Sequence, residues 1–238
     1  MEEAMVRPLT RSIVVVVALL FVLKSAPASA SQLDWTGTGK GAWATFSLEN
    51  DPLGNPFSDF VGELLWNWVG SPAPGFSNDS IYTYCVDATS YLQDPQNVTA
   101  RSTNLLTTVT GGADAGGRVA YLVDKYAADV HTNGSDVDAA ALQIAIWEAL
   151  YDSTEDLAGG VFKLVTTGAI YDKTKFYLDD LYSGGTYHTG TATWLDTNYG
   201  QDQVVLTPTP EPASLTLFGS ALAYMAARRR KRKTDLAI

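Results

Sequence analysis

Two residues stand out for the chemistry they could perform. Cys85 is the single cysteine of the chain and sits in the run Tyr84-Cys85-Val86. An unpaired cysteine is a free thiol, half of an intermolecular disulfide, or part of a covalent site, and its thiolate is a nucleophile toward carbonyl carbon. A thiol protease would need a histidine base, but His131 and His188 both lie in polar stretches with no signature of that chemistry around them. Without a nucleophile, histidine and carboxylate pattern, the chain is read as non-enzymatic. The second residue is Gln143, inside the otherwise apolar run Ala139-Ala140-Ala141-Leu142-Gln143-Ile144-Ala145-Ile146-Trp147. A buried primary amide must find partners for one carbonyl and two N–H donors, or it costs about 1–3 kcal/mol. Trp147 lies one helical turn beyond it, on the same face.

The elements that must hold these residues follow from periodicity. Ala42, Ala44, Phe46 and Leu48 alternate within 41–48, and Phe60, Leu64, Trp66 and Trp68 within 60–69, the period of half-buried strands. The Gly70 to Gly75 segment, with Pro72 and Pro74, is a turn. A third strand, 81–86, places Cys85 on the face of Ile81 and Thr83. The period then changes: Val119, Leu122, Val123, Tyr126, Ala127 and Val130 form a helical stripe. After a loop at Asn133-Gly134, Ser135 and Asp138 have capping-box spacing and open a second helix, whose stripe is Leu142, Ala145, Ile146, Ala149 and Leu150. Two more strands are expected at 186–195 and 203–207. The fold class is α+β, a β-sandwich or barrel with a helical insertion between Cys85 and Gln143.

Composition narrows the function. Hydrophobic residues make up 46% of the 238-residue chain, enough for a packed core, and the net charge is −10. Between Ser31 and Thr209 there are 7 basic against 22 acidic residues, a net −15. Nucleic acid is set aside as a partner, since its phosphates need clustered Lys and Arg. One cysteine and two histidines make a zinc site improbable, and the carboxylates lack a calcium-loop spacing, so neither metal nor cofactor is expected.

Both ends read as addresses. Arg7 and Arg11 precede the apolar run 12–23, and Ala28-Ser29-Ala30 follows, which is the pattern of a signal peptide over 1–30. At the other end, residues 208–238 hold Pro210-Glu211-Pro212, an apolar stretch at 213–227, and the basic run Arg228 to Lys233. Fifteen apolar residues span roughly 22 Å as a helix, short of a hydrocarbon core of about 30 Å. The cations behind it would keep that end cytoplasmic. The three parts, in this order, resemble the PEP-CTERM sorting signal of Gram-negative bacteria. The resemblance implies an exosortase as processing partner, a transient transmembrane helix at 213–227 in the inner membrane, loss of the tail, and delivery to the cell surface or an exopolysaccharide matrix.

The region between, 31–207, resembles the Cys-Gln thioester domains of bacterial surface adhesins. Tyr84-Cys85-Val86 matches the aromatic-Cys-apolar strand motif, and Gln143-Ile144-Ala145-Ile146-Trp147 matches the later motif often written Thr-Gln-x-Ala-x-Trp, with Leu142 where Thr is usual. The resemblance implies a thioester between Cys85 and Gln143. Such an activated acyl group transfers to a lysine amine of a surface protein or to a polysaccharide hydroxyl, a route to adhesion and biofilm attachment. Tyr82, Tyr84 and Trp147 are the aromatic neighbours expected to line the site and exclude water. The link would close a 58-residue loop, worth at most about 4 kcal/mol by analogy with a disulfide. The alternative is an inert matrix protein of the exopolysaccharide layer with a buried free thiol.

Overall fold

The computed structural model describes residues 31–49, 56–77, 79–108, 110–185, 187–197 and 199–207. The expected signal peptide and the whole of 208–238 lie outside the described residues. Among the described residues there are seven antiparallel strands: β1 (Ser31–Leu48), β2 (Phe57–Val69), β3 (Ile81–Cys85), β4 (Gln96–Ser102), β5 (Phe162–Leu164), β6 (Thr193–Thr197) and β7 (Gln203–Val205). The start of β1 pairs on both edges, Leu33 opposite Trp68 of β2 and opposite Gln96 of β4. The order β1-β2-β3-β7-β6-β4 therefore closes into a barrel, and β5 extends the sheet beside the far end of β1. Closure removes exposed strand edges along the ring.

Period two decides which side chains enter the barrel. Leu64, Trp66 and Trp68 of β2 meet Leu33, Val98, Leu195 and Val205 inside it. Intervening residues face the helices, so Ala44, Phe46, Val61 and Tyr84 pack into a second, larger core with them. β1 and β2 approach so closely at one irregular point that a Cβ on Gly62 (φ +146°) would lie 2.3 Å from the Lys40 carbonyl oxygen, so the position requires glycine.

Among the described residues four α-helices cover this outer face: α1 (Ala115–Leu122), α2 (Ala128–Asn133), α3 (Asp136–Tyr151) and α4 (Ala169–Leu181). The expected stripe from Val119 to Val130 is one continuous helical path, but a π-turn at Val123–Ala127 joins α1 to α2. Val119, Leu122, Val123, Ala127 and Val130 stay buried, whereas Tyr126 is only half-buried and donates to Asp180 at 2.7 Å. Gly134 closes α2, its N–H donating to the Val130 carbonyl at 3.0 Å. The capping box then forms: Asp138 N–H donates to Ser135 Oγ (3.3 Å), and Ser135 N–H to Asp138 Oδ2 (2.8 Å). From Ala139 to Leu150 every residue of α3 is buried. A helix apolar all round belongs in the middle of a protein, and α3 lies between the sheet and the other helices.

The α+β architecture is the expected one, with differences in extent. β1 begins ten residues earlier than the alternation in 41–48 indicates, because its first half is mostly exposed or half-exposed and breaks the pattern. β4 has few apolar residues, β5 is only three residues long, and the apolar residues of α4 are interleaved with charged ones, so none of the three is legible as an element in the sequence. Residues 187–192 are not strand: His188 N–H donates to the Leu181 carbonyl and Gly190 N–H to that of Gly117, fastening a loop across the helices. The helical part also runs past Gln143, to Leu181. Among the described residues no helix is long and apolar enough to cross a membrane.

Candidate functional site

Cys85 is the last residue of β3, and Gln143 lies midway along α3, 58 residues later. The fold brings them into direct contact. Cys85 N–H donates to Gln143 Oε1 at 2.8 Å, and Gln143 Nε2 donates to the Cys85 carbonyl at 2.7 Å. The amide thus meets the Cys85 backbone as a neighbouring strand would. Both bonds are buried, so little water competes for them.

The sulfur has its own setting, supplied by the turn that ends β3. Cys85 Sγ donates to the Asp87 carbonyl at 3.0 Å, and Asp87 N–H points back to the sulfur at 3.3 Å. Val86 N–H donates to the Asp202 carbonyl, Ala88 N–H to the Tyr151 hydroxyl, and Gln201 Nε2 to the same Asp87 carbonyl that accepts the thiol. The Asp87 carboxylate caps the turn, accepting from Thr89 N–H and Oγ1. Burial pushes the thiol well above its ordinary pKa; the Asp87 backbone and the Trp147 indole pull the other way without overcoming it. The resting group is a neutral thiol, placed beside an amide whose carbonyl oxygen already accepts a hydrogen bond.

Cys85, Gln143 and Trp147 line one cleft of about 350 Å³, together with Phe46, Asp59, Phe60, Tyr91 and Gln201. Tyr91 stands 71% exposed at this cleft, while Trp147 is buried, its ring 4.9 Å from that of Phe46. Of the residues expected around the site, Trp147 is therefore at the cleft, but Tyr82 and Tyr84 are not among its lining. Strand alternation sends them to the other face of β3. There the Tyr82 ring stacks on His131 at 3.8 Å, and the Tyr84 hydroxyl donates to Glu63 Oε1 at 3.5 Å. Neither histidine reaches the thiol. His131 is 3.2 Å from both Glu63 oxygens, and His188 pairs with Ser183. Among the described residues no group of three or more His, Cys, Asp and Glu is placed to hold a metal ion. Asp87 and Gln201, which hold the sulfur, carry no signal in the sequence, since one acts through its backbone and the other from a polar loop.

Comparison with known proteins identifies one segment. Residues 208–231 match the PEP-CTERM protein-sorting motif, which includes the Pro210-Glu211-Pro212 tripeptide. The motif marks an exported surface protein that an exosortase processes on its way through the membrane of a Gram-negative bacterium. No curated protein and no solved structure matches the chain.

Proposed function

We propose that this exported protein forms an internal thioester between Cys85 and Gln143 and uses it to attach covalently to amines or hydroxyls of a partner. The observation that carries this reading is the double hydrogen bond between the Gln143 amide and the Cys85 backbone. It places the acyl carbon beside the residue that bears the nucleophile, and it aims a backbone N–H at the oxygen on which negative charge develops as sulfur adds. Sulfur attacks Cδ of Gln143, the C–S bond forms, the C–N bond breaks, and the thiol proton leaves with the amine as ammonia. A partner amine later attacks the same carbon, sulfur departs, and an amide joins the partner to Gln143. With a hydroxyl the product is an ester.

One observation favours the second reading, an inert matrix protein. The same two hydrogen bonds give both the oxygen and the nitrogen of the buried amide a partner, as a purely structural role requires. Intact mass separates the two. Mature protein prepared without nucleophiles should be lighter than its sequence by one ammonia, carry no titratable thiol when denatured, and gain methylamine on Gln143 with release of Cys85. One free thiol from the start, with no mass deficit, selects the inert protein.

A further inference from the structure

Among the described residues the buried Trp147 indole N–H meets no acceptor in hydrogen-bond geometry, although it lies close enough to the Cys85 sulfur to pull its pKa down. A buried donor without an acceptor is costly, and such groups are rare enough to need a reason. This one belongs to a ring that shares the cleft with Cys85 and Gln143 and sits one turn of α3 beyond the glutamine. Phe46 and Phe162 hold the ring, at 4.9 and 6.1 Å between centroids. The nearby sulfur already receives one N–H, that of Asp87, while its own proton goes to the Asp87 carbonyl. A neutral thiol needs no second donor. A thiolate, which is acceptor-only and largely shielded from water in this site, does.

We propose that Trp147 is a catalytic residue of the Cys85–Gln143 site: its indole N–H, with the backbone N–H of Asp87, holds the negative charge on the Cys85 sulfur as the acyl bond forms and as it breaks. This inference rests on the thioester reading above. In the forward step the thiolate attacks Gln143 Cδ while both donors face it, and the proton it released leaves with the departing amine as ammonia. In the return step a partner amine adds to Cδ, the C–S bond breaks, and sulfur departs as a thiolate into the same two N–H groups. It then takes the proton released by the attacking nitrogen. The pull that the indole exerts on the thiol, against the dominant effect of burial, has the sign this role requires. Shielding from water would need only the ring; the donor role needs the nitrogen.

Trp147→Phe keeps a ring between Phe46 and Phe162 and removes the N–H. In mature protein, methylamine should add to Gln143 and release Cys85 roughly tenfold more slowly than in the parent, the scale of one lost hydrogen bond to a charged atom. A rate equal to or faster than the parent's overturns the proposal and leaves the thioester standing. The second measurement uses the free thiol of Gln143→Ala, where the pH dependence of iodoacetamide alkylation reports the thiolate. Adding Trp147→Phe should move the midpoint up by about one unit. An unmoved midpoint overturns the donor role. Phe162→Leu disturbs the ring packing but spares the N–H, so in the same background it should leave the midpoint in place; an equal shift would assign the effect to packing and overturn the proposal. Absence of the ammonia deficit in the parent overturns the thioester reading and the catalytic role with it.

Discussion

Gln143 and Glu148 sit five residues apart on the same buried helix, and the protein treats their polar groups in opposite ways. The Gln143 amide is paired at both ends by the Cys85 backbone. Among the described residues, both carboxylate oxygens of Glu148, a residue with 0% exposure, lack a partner. Burial, reinforced by Asp152 and Asp156, pushes the Glu148 pKa up to about 9, so the group is a neutral acid at pH 7. One polar side chain is held in place by two hydrogen bonds across the interface between helix and barrel, and the other is tolerated because it gives up its charge. Burial alone therefore does not mark a functional position on α3. What distinguishes Gln143 is that its partners fix its orientation and belong to the residue that carries the chain's single thiol.

The sharpest way to break this contrast is Gln143→Leu. The substitution is apolar and one bond shorter, and it strands the Cys85 N–H and carbonyl in a buried site. Stability should fall by about 3 kcal/mol in urea unfolding, and the ammonia deficit and every covalent adduct should vanish. Unchanged stability would show that the two hydrogen bonds hold nothing together.

Glu148→Gln should act in the opposite direction. The folded pKa of about 9 lies above the ordinary value of 4.5, so the folded state keeps a proton that the unfolded state releases. Glu148 then makes the parent lose stability as pH rises from 4.5 to about 9, with no further loss above. The amide cannot ionise. The variant should gain on the parent by about 1.4 kcal/mol per pH unit above 4.5, roughly 5 kcal/mol by pH 8, and the difference should close toward pH 4.5. A constant difference across that range would mean that Glu148 does not titrate as described.

Much of this arrangement was legible in the sequence, and the remainder was not for identifiable reasons. The start of α3 was readable because Ser135 and Asp138 satisfy each other locally, and β3 because its residues alternate. The association of Cys85 with Gln143 came from a resemblance in motifs, which carries residue types but not the backbone that an amide will meet. Strand alternation alone places Tyr82 and Tyr84. In a strand that presents Cys85 on one face, the residues one and three positions earlier must face the other way, and there they meet His131 and Glu63. α4 was hidden for a different cause: Thr174, Tyr177, Leu178 and Leu181 are its buried residues, and a stripe so short and mixed in polarity is visible only once the surface it covers is known.

A smaller effect tests how the sulfur is held. Gln201→Ala removes the amide that grips the Asp87 carbonyl at 3.3 Å, leaving the thiol as the side chain that still donates to it. The stability cost should be about 1 kcal/mol or less. With Gln143→Ala as background, iodoacetamide should reach Cys85 severalfold faster as the turn loosens. An unchanged rate would show that Ala88, Val86 and the Asp87 cap already fix the turn.

The smallest effect comes from a carboxylate that reverses the behaviour of Glu148. Asp180 accepts hydrogen bonds from Lys125 and from the hydroxyls of Tyr121 and Tyr126, each at 2.7 Å, and so ties α4 to α1 and the π-turn. Partial burial raises its pKa, but these donors, Lys125 foremost, outweigh burial and bring it down to about 2 from 3.8. The sign therefore inverts: the folded state binds the proton more weakly than the unfolded state, so the contribution is fully present above pH 3.8 and is lost as pH falls from 3.8 to about 2. Because the pair with Lys125 is partly exposed and screened, Asp180→Asn should cost less than about 1 kcal/mol at pH 7. That cost should shrink in high salt and disappear near pH 2. Urea unfolding of the parent, Glu148→Gln and Asp180→Asn from pH 2 to 9 should then give two difference curves of opposite slope, one confined to pH below 3.8 and one running from 4.5 to about 9. If both differences changed in the same direction with pH, the distinction between a partnered and an unpartnered carboxylate would not account for either residue.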